Sequence, residues 1–318
     1  MDRPSALRGA RGHAVEVTGD SDLVALLAAA GLALRDAGRG ASGHSAGSPR
    51  LPLSWLALAA RPGADIALRA SGEGFEQRAD GVPAVVHVAQ RVRLERPLQP
   101  GERLTVDTGA VAVRSTPRGL VGRVRTRFLP SGVARAHDDI PVAEVGSRFL
   151  ITERAVAGAG AATGSADADQ RDDMHAAADR GRSWSPDAAV VAAFAALSGD
   201  RGPLHLDDAA AGRAGYAGPL VHGLLLFAAA ESAAAPTDPA TQVAEPSSVG
   251  ELTLRFEAPV VAGPAELRIE VGPWRAEERA QDAARVRTAR LRLLDAAGRV
   301  AASGHVEHPG AAPHQTRS

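Results

Sequence analysis

GLLLFAAAESAAAP, residues 223–236, is apolar on almost every face. A helix with one apolar stripe lies on a core, whereas one that is apolar all round belongs inside a core. The stretch therefore predicts a buried helix that starts near Gly223 and stops before Pro236, a residue that cannot continue it. The pattern then changes. Residues 249–257, 265–274, 283–294 and 299–307 alternate, as in Leu252, Leu254, Phe256 and Leu291, Leu293. That is the period of strands with one buried face. Asp295-Ala296-Ala297-Gly298 supplies a hairpin turn between the last two. Strands that succeed one another without intervening helices pair antiparallel.

Working upstream, Ser185 is read as an N-cap, with Pro186 at the first helical position and Asp187 favouring the dipole. Val190, Val191, Phe194 and Leu197 form an apolar stripe at helical spacing. A buried helix followed by a sheet that wraps it is the element order of a hot-dog domain, an α+β fold. The first half of the chain repeats the pattern. Pro97 and Gly101 map onto Pro259 and Gly263, and Val124-Arg125-Thr126 onto Val286-Arg287-Thr288, at one offset of 162. A shared offset points to a duplicated unit, and two units make a double hot dog. Leu51 to Gly63 is read as the other central helix, with AVVHVAQRVRLERPL as the strand after it. Residues 157–181 are rich in Ala, Gly, Asp and Ser without apolar period and read as a linker. The expected domains are 1–156, the linker 157–181, a second domain 182–310 and a disordered tail 311–318.

The bulk properties exclude several function classes. All 36 basic residues are arginine, and the formal net charge is −1. No global field points to nucleic acid or to a membrane surface. The absence of cysteine removes disulfides, thiolate nucleophiles and Cys-ligated metals. Aromatic residues make up 3%, too few for a stacking platform for single strands. The N-terminus lacks the apolar core of a signal peptide, and no apolar run is long enough to span a bilayer. A soluble cytoplasmic protein is the expectation.

The chemistry concentrates in FAALSGDRGPLHLDDAAAGRAGYAGPLVHGLLLF, residues 194–227. Gly199-Asp200 is followed by Pro203-Leu204-His205, then by Pro219-Leu220-Val221-His222-Gly223. This succession resembles the MaoC-like dehydratase family, the R-specific enoyl-CoA hydratases, over about 40 contiguous residues. The resemblance implies reversible hydration of trans-2-enoyl thioesters, or dehydration of R-3-hydroxyacyl thioesters, carried on CoA or acyl carrier protein. It implies no cofactor beyond that carrier.

A carboxylate and an imidazole in one short loop can hold and activate one water. By the resemblance, Asp200 and His205 are that catalytic pair. Asp200 is assigned as the base toward water and His205 as the group that orients it, with the reverse assignment left open. The thioester oxygen needs a donor placed beforehand. The amide of Gly223 at the helix start offers one, and the resemblance gives Gly223 the same role. Pro203, Leu204, Tyr216, Val221, His222 and Leu226 are the expected substrate-binding residues, and His222 is read as packing or bonding near the helix start. Asp207 and Asp208 are read as caps of the short helix after them. A CoA phosphate site would use arginines at the rim, and the sequence offers too many to choose among.

Gly202 departs from the family pattern, which has Asn before the Pro. An Asn there would bond the loop or the reacting groups, and a misplaced acid–base pair loses rate steeply. The first half offers no second site, because the offset places the partners of Asp200 and His205 at Gly38 and Gly43. His87 is read there as structural. Two rival readings follow: a catalytically weakened acyl-thioester-binding protein or partner subunit, and a thioesterase on the same fold. The latter is disfavoured by the Asp-His loop and the His-Gly helix start. Monomer and homodimer are both consistent, since a double hot dog already contains the pair that single hot dogs form.

Overall fold

Pairing of edge strands joins the two halves into one sheet. The structure is a computed structural model that describes residues 11–16, 52–70, 84–98, 101–109, 111–117, 119–131, 140–152, 180–235, 250–278 and 285–309. In the first half, β1 (Arg11–Glu16) precedes a central helix, α1 (Leu53–Ala70). Then come β2 (Ala84–Leu94), β3 (Arg103–Thr108), β4 (Ala112–Thr116), β5 (Gly119–Pro130) and β6 (Ala143–Thr152). The second half opens with β7 (Arg180–Trp184), α2 (Ala188–Ser198), α3 (Pro203–Leu206), α4 (Asp208–Arg213) and the central helix α5 (Gly223–Ala234). It closes with β8 (Glu251–Phe256), β9 (Leu267–Val271), β10 (Arg275–Glu278), β11 (Arg285–Leu294) and β12 (Val300–Pro309).

The 12 strands run β1-β3-β5-β6-β2-β8-β12-β11-β9-β7, with β4 on β5 and β10 on β11. Read from either end, the order is the same under exchange of the halves, so the duplicated unit is present as a pseudo-twofold. The seam is the antiparallel pair β2 and β8, in register from Ala89 opposite Arg255 to Arg93 opposite Glu251. Across it Arg91 grips Glu251 with two bonds of 2.7 Å. Burial raises the Glu251 carboxyl, but hydrogen bonds from His305 and Arg91 outweigh it and hold the group at about 2. This is the double hot dog, α+β, that the element order implies.

Alternation builds the buried face. Leu252 and Leu254 of β8 and Val92 of β2 are fully buried, and they meet Leu225, Phe227 and Leu56 from the two central helices in one core. Each such side chain contributes roughly 1.5–3 kcal/mol on burial. The outward residues between them are polar. Among the described residues no helix is long and apolar enough to cross a membrane.

Several sequence expectations shift. The helix read over Leu51–Gly63 starts at Leu53 and continues to Ala70. Gly63 does not end it: a Cβ there would meet Thr108 Oγ1 at 2.2 Å, so the glycine is a close approach to β3. Beyond it Ala64, Ala67 and Leu68 bury against Val111 and Val124 in a small core of their own. Ser185 is not the N-cap of α2. Asp187 is, accepting from Val190 N at 2.8 Å, and Pro186 lies outside the helix. The run 265–274 is a strand only over Leu267–Val271, and a separate strand beyond it, β10, folds onto β11. Asp295 makes the β11–β12 turn by accepting from Ala297 N and Arg299 N, both at 2.9 Å. Arg180 and Gly181, placed in the linker from the sequence, open β7. Residues 157–179, the tail 311–318, Gly38 and Gly43 lie outside the described residues.

Candidate active site

Helix α2 stops because Gly199 takes a left-handed backbone, φ 71°, which glycine adopts without steric cost. The chain then turns through Asp200, whose backbone N–H donates to Ser198 Oγ at 3.2 Å. Gly202 caps the one-turn helix α3, with Pro203 at its first position and His205 in its last turn. Asp207 caps α4 by accepting from Ala209 N and Ala210 N, while Asp208 is that helix's first residue. An extended stretch returns to α5. Leu220 N donates to Leu204 O at 2.8 Å, and Val221 N to Val260 O at 2.8 Å. His222 is the extended residue just before α5.

This path brings Asp200, His205 and His222 together, with one polar side-chain atom of each within 4.8 Å of the others. The two imidazoles stack, centroids 3.8 Å apart and planes 20° apart. Each is fixed by a carbonyl, which can only accept. His205 Nδ1 donates to Leu220 O at 2.7 Å, and His222 Nε2 donates to Asp200 O at 2.9 Å. The partners thus assign the tautomers: neutral His205 presents its Nε2 lone pair. Burial, then the neighbouring His205, lowers His222 to about 4, so it is neutral at pH 7. Stacked rings point their lone pairs along near-parallel planes instead of converging on one point. The set therefore suits proton handling better than holding a metal ion. A second group, Glu251, His305 and Glu307, also clusters within 4.8 Å, but Arg91 already engages both Glu251 oxygens.

The start of α5 completes the site. Leu225 and Leu226 donate to His222 O. The amides of Gly223 and Leu224 have no acceptor among the described residues, and no side chain caps the helix. These N–H groups and the helix dipole favour a developing negative oxygen. Glycine is needed at 223 for a reason the sequence does not show. A Cβ would sit 3.0 Å from Phe256 Cε2 and 3.1 Å from His87 Nδ1.

The expected substrate-binding residues divide. Val221, His222 and Leu226 are buried around the start of α5, whereas Pro203 and Leu204 lie in the turn between Asp200 and His205. Tyr216 is half-buried beyond α4, its backbone N bonded to Ala211 O, and burial raises its hydroxyl.

Two side chains of the other half stand beside the site; the sequence does not single out Arg61, and it reads His87 as structural. Arg61 of α1 donates from Nη1 to Ser198 O at 2.6 Å and pairs through Nη2 with Asp200 Oδ1 at 3.4 Å. His87 of β2, read as structural, lies against Gly223 and stacks on Phe149 at 5.0 Å. Burial lowers His87 to about 4 despite bonds to Ala89 and Gln90, and its Nε2 has no partner among the described residues. An arginine and a histidine inside largely apolar elements were the available signals.

Residues 167–291 match the family model of the MaoC-like domain. A 39-residue stretch is 62% identical to an (R)-specific enoyl-CoA hydratase from Aeromonas caviae; it covers 12% of this chain and 29% of that enzyme. Among solved structures, a MaoC-like dehydratase superposes with a TM-score of 0.63 at 16% identity, over 95% of this chain and 98% of that one. HtdX from Mycobacterium tuberculosis superposes with a TM-score of 0.58 at 19% identity, over 93% and 99%. At such identities the likeness is one of fold.

Proposed function

We propose, from the match of residues 167–291 to the MaoC-like domain family, that the chain is a hydro-lyase acting on acyl thioesters. It adds water reversibly across the double bond of a trans-2-enoyl thioester to give an R-3-hydroxyacyl thioester. The observation that carries this reading is the meeting of two unengaged helix-start amides, at Gly223 and Leu224, with the Asp200–His205 pair. A hydratase needs both: donors for an enolate oxygen and a proton-transfer pair beside a water.

Water lies between the Asp200 carboxylate and His205 Nε2. Asp200 takes one proton as the oxygen bonds to Cβ. The charge moves to the thioester oxygen, where the Gly223 and Leu224 amides receive it. Cα then takes one proton from the same pair, and the pair ends in its starting state. The Leu220 carbonyl keeps the His205 proton on Nδ1, so Nε2 faces the water. The carrier is CoA or acyl carrier protein, and a role in cytoplasmic fatty acid metabolism fits that chemistry.

Purified protein mixed with crotonyl-CoA and longer trans-2-enoyl-CoA esters should bleach the absorbance of the conjugated thioester. Asp200→Asn and His205→Ala should both lose that activity; full rates in both would remove these residues from the chemistry. The second reading, thioester binding without turnover, rests on Gly202 in place of Asn. It predicts binding of the same esters with no bleaching, and bleaching gained on Gly202→Asn.

A further inference from the structure

The first half of the chain reaches into the Asp200 loop of the second half. We infer that Arg61, on the central helix of the first half, is a positioning residue of the active site. It fixes the Asp200 carboxylate and the turn that carries it, an inference that rests on Asp200 being the proton-transfer group proposed above.

Three observations support this. Arg61 binds the loop at two points, the Ser198 carbonyl at 2.6 Å and Asp200 Oδ1 at 3.4 Å. These flank Gly199, whose left-handed turn sets the direction of the chain. A planar guanidinium spanning two acceptors restrains orientation as well as distance. Among the described residues the same Oδ1 has one other polar partner, the Gly202 N–H at 3.3 Å. Oδ2 has no partner among the described residues and is left for the reacting water.

Second, Arg61 is itself held. Its side chain is 19% exposed, and Asp65 one turn later pairs with Nη2 at 3.3 Å. The helix is pinned at this level, since Gly63 allows it to touch Thr108 where any Cβ would collide. The cation therefore stands on a rigid element.

Third, the position that departs from the family pattern lies beside the groups Arg61 restrains. A Cβ on Gly202 would stand 3.4 Å from both Asp200 Oδ1 and His205 Cδ2, ordinary contact distances, and its φ of −54° is open to any residue. An Asn fits there and would touch both groups. In this chain the restraint on Asp200 comes instead from across the junction between the halves.

The test compares wild type, Arg61→Ala, Arg61→Lys, Asp200→Asn and the double variant Arg61→Ala/Gly202→Asn. Enoyl-CoA hydration and amide hydrogen exchange are measured in each. In Arg61→Ala, kcat should fall about 10- to 100-fold, the order expected for a misplaced group, with KM within about twofold. Added guanidinium chloride at millimolar concentration, Arg61→Lys and the Gly202→Asn background should each recover part of the rate. Exchange should rise at residues 199–205 and stay unchanged in the body of α5. An unchanged kcat in Arg61→Ala beside an inactive Asp200→Asn overturns the positioning role alone. Equal rates in wild type and Asp200→Asn overturn the proposed chemistry instead. Should wild type hydrate none of the esters, unchanged exchange at 199–205 in Arg61→Ala still overturns the inference.

Discussion

The two central helices begin in opposite ways. At the start of α1, the amides of Leu53 and Ser54 donate to the Glu231 carboxyl at 2.5 and 2.9 Å, and the Ser54 hydroxyl donates at 2.8 Å. Glu231 comes from α5, in the other half. At the start of α5, the amides of Gly223 and Leu224 have no acceptor among the described residues, and Asp200, His205 and His222 gather beside them. Both ends carry the same excess of positive charge. One is closed by a side chain of the protein, and the other is the end that the proposed mechanism uses for charge forming during the reaction. The residues responsible occupy matching places: Arg61 and Glu231 each stand eight positions after the first residue of their helix. One grips the loop at the open end, and the other seals the closed end. Two equivalent helix starts are thus treated in opposite ways, and under the proposed mechanism one serves stability and the other chemistry.

The comparison can be broken at either end. The largest effect belongs to the open end: Asp200→Asn should cut kcat by about a hundred- to ten-thousandfold, the usual range for a lost proton-transfer group, with little change in Tm. The closed end should respond in stability. Glu231→Leu removes three acceptor contacts, and two buried amides are left unpaired at about 1–3 kcal/mol each. Urea unfolding should show that loss while surviving folded protein keeps its kcat; an unchanged midpoint would mean water replaces the carboxyl. Gly223→Ala comes next. Its Cβ must push aside Phe256 and His87, and overpacking costs about 1–3 kcal/mol. Here both Tm and kcat should fall, whereas Glu231→Leu lowers only Tm.

The last test is a pH slope. His87 and His222 sit at about 4 in the folded chain against 6.5 in the unfolded one. Between those values the unfolded state binds more protons, so stability falls as pH drops from 6.5 to about 4 and levels off below. His87→Phe keeps the stack on Phe149 and should flatten that slope, read as Tm against pH. An unaltered slope would show that His87 does not titrate in this window.

Much of this molecule is legible in its sequence, because local rules carried it. The alternation of Leu252, Leu254 and Phe256 gave a strand, and the all-apolar run after Gly223 gave the buried helix. The Asp200–His205–His222 cluster lies within one contiguous segment, so its residues are readable together. Errors arose where neighbouring signals competed. Ser185 and Asp187 are both good caps, and only the bond to Val190 N decides between them. Pro62-Gly63 reads as a helix end, yet a close approach to Thr108 explains the glycine inside the helix. The partners of Arg61, His87 and Glu231 were out of reach for another reason. Each acts on residues more than 130 positions away, and nothing in their local sequence names the partner.

The seam between β2 and β8 has a consequence for dilution. A pair of separate chains joined along such an edge would dissociate as concentration falls, and a site built from both would be lost with it. Here the two edges belong to one covalent chain, so each meets the other at a fixed effective concentration. Arg61 therefore finds Asp200 in a nanomolar assay as readily as in a concentrated stock, and specific activity should not vary with the amount of protein used.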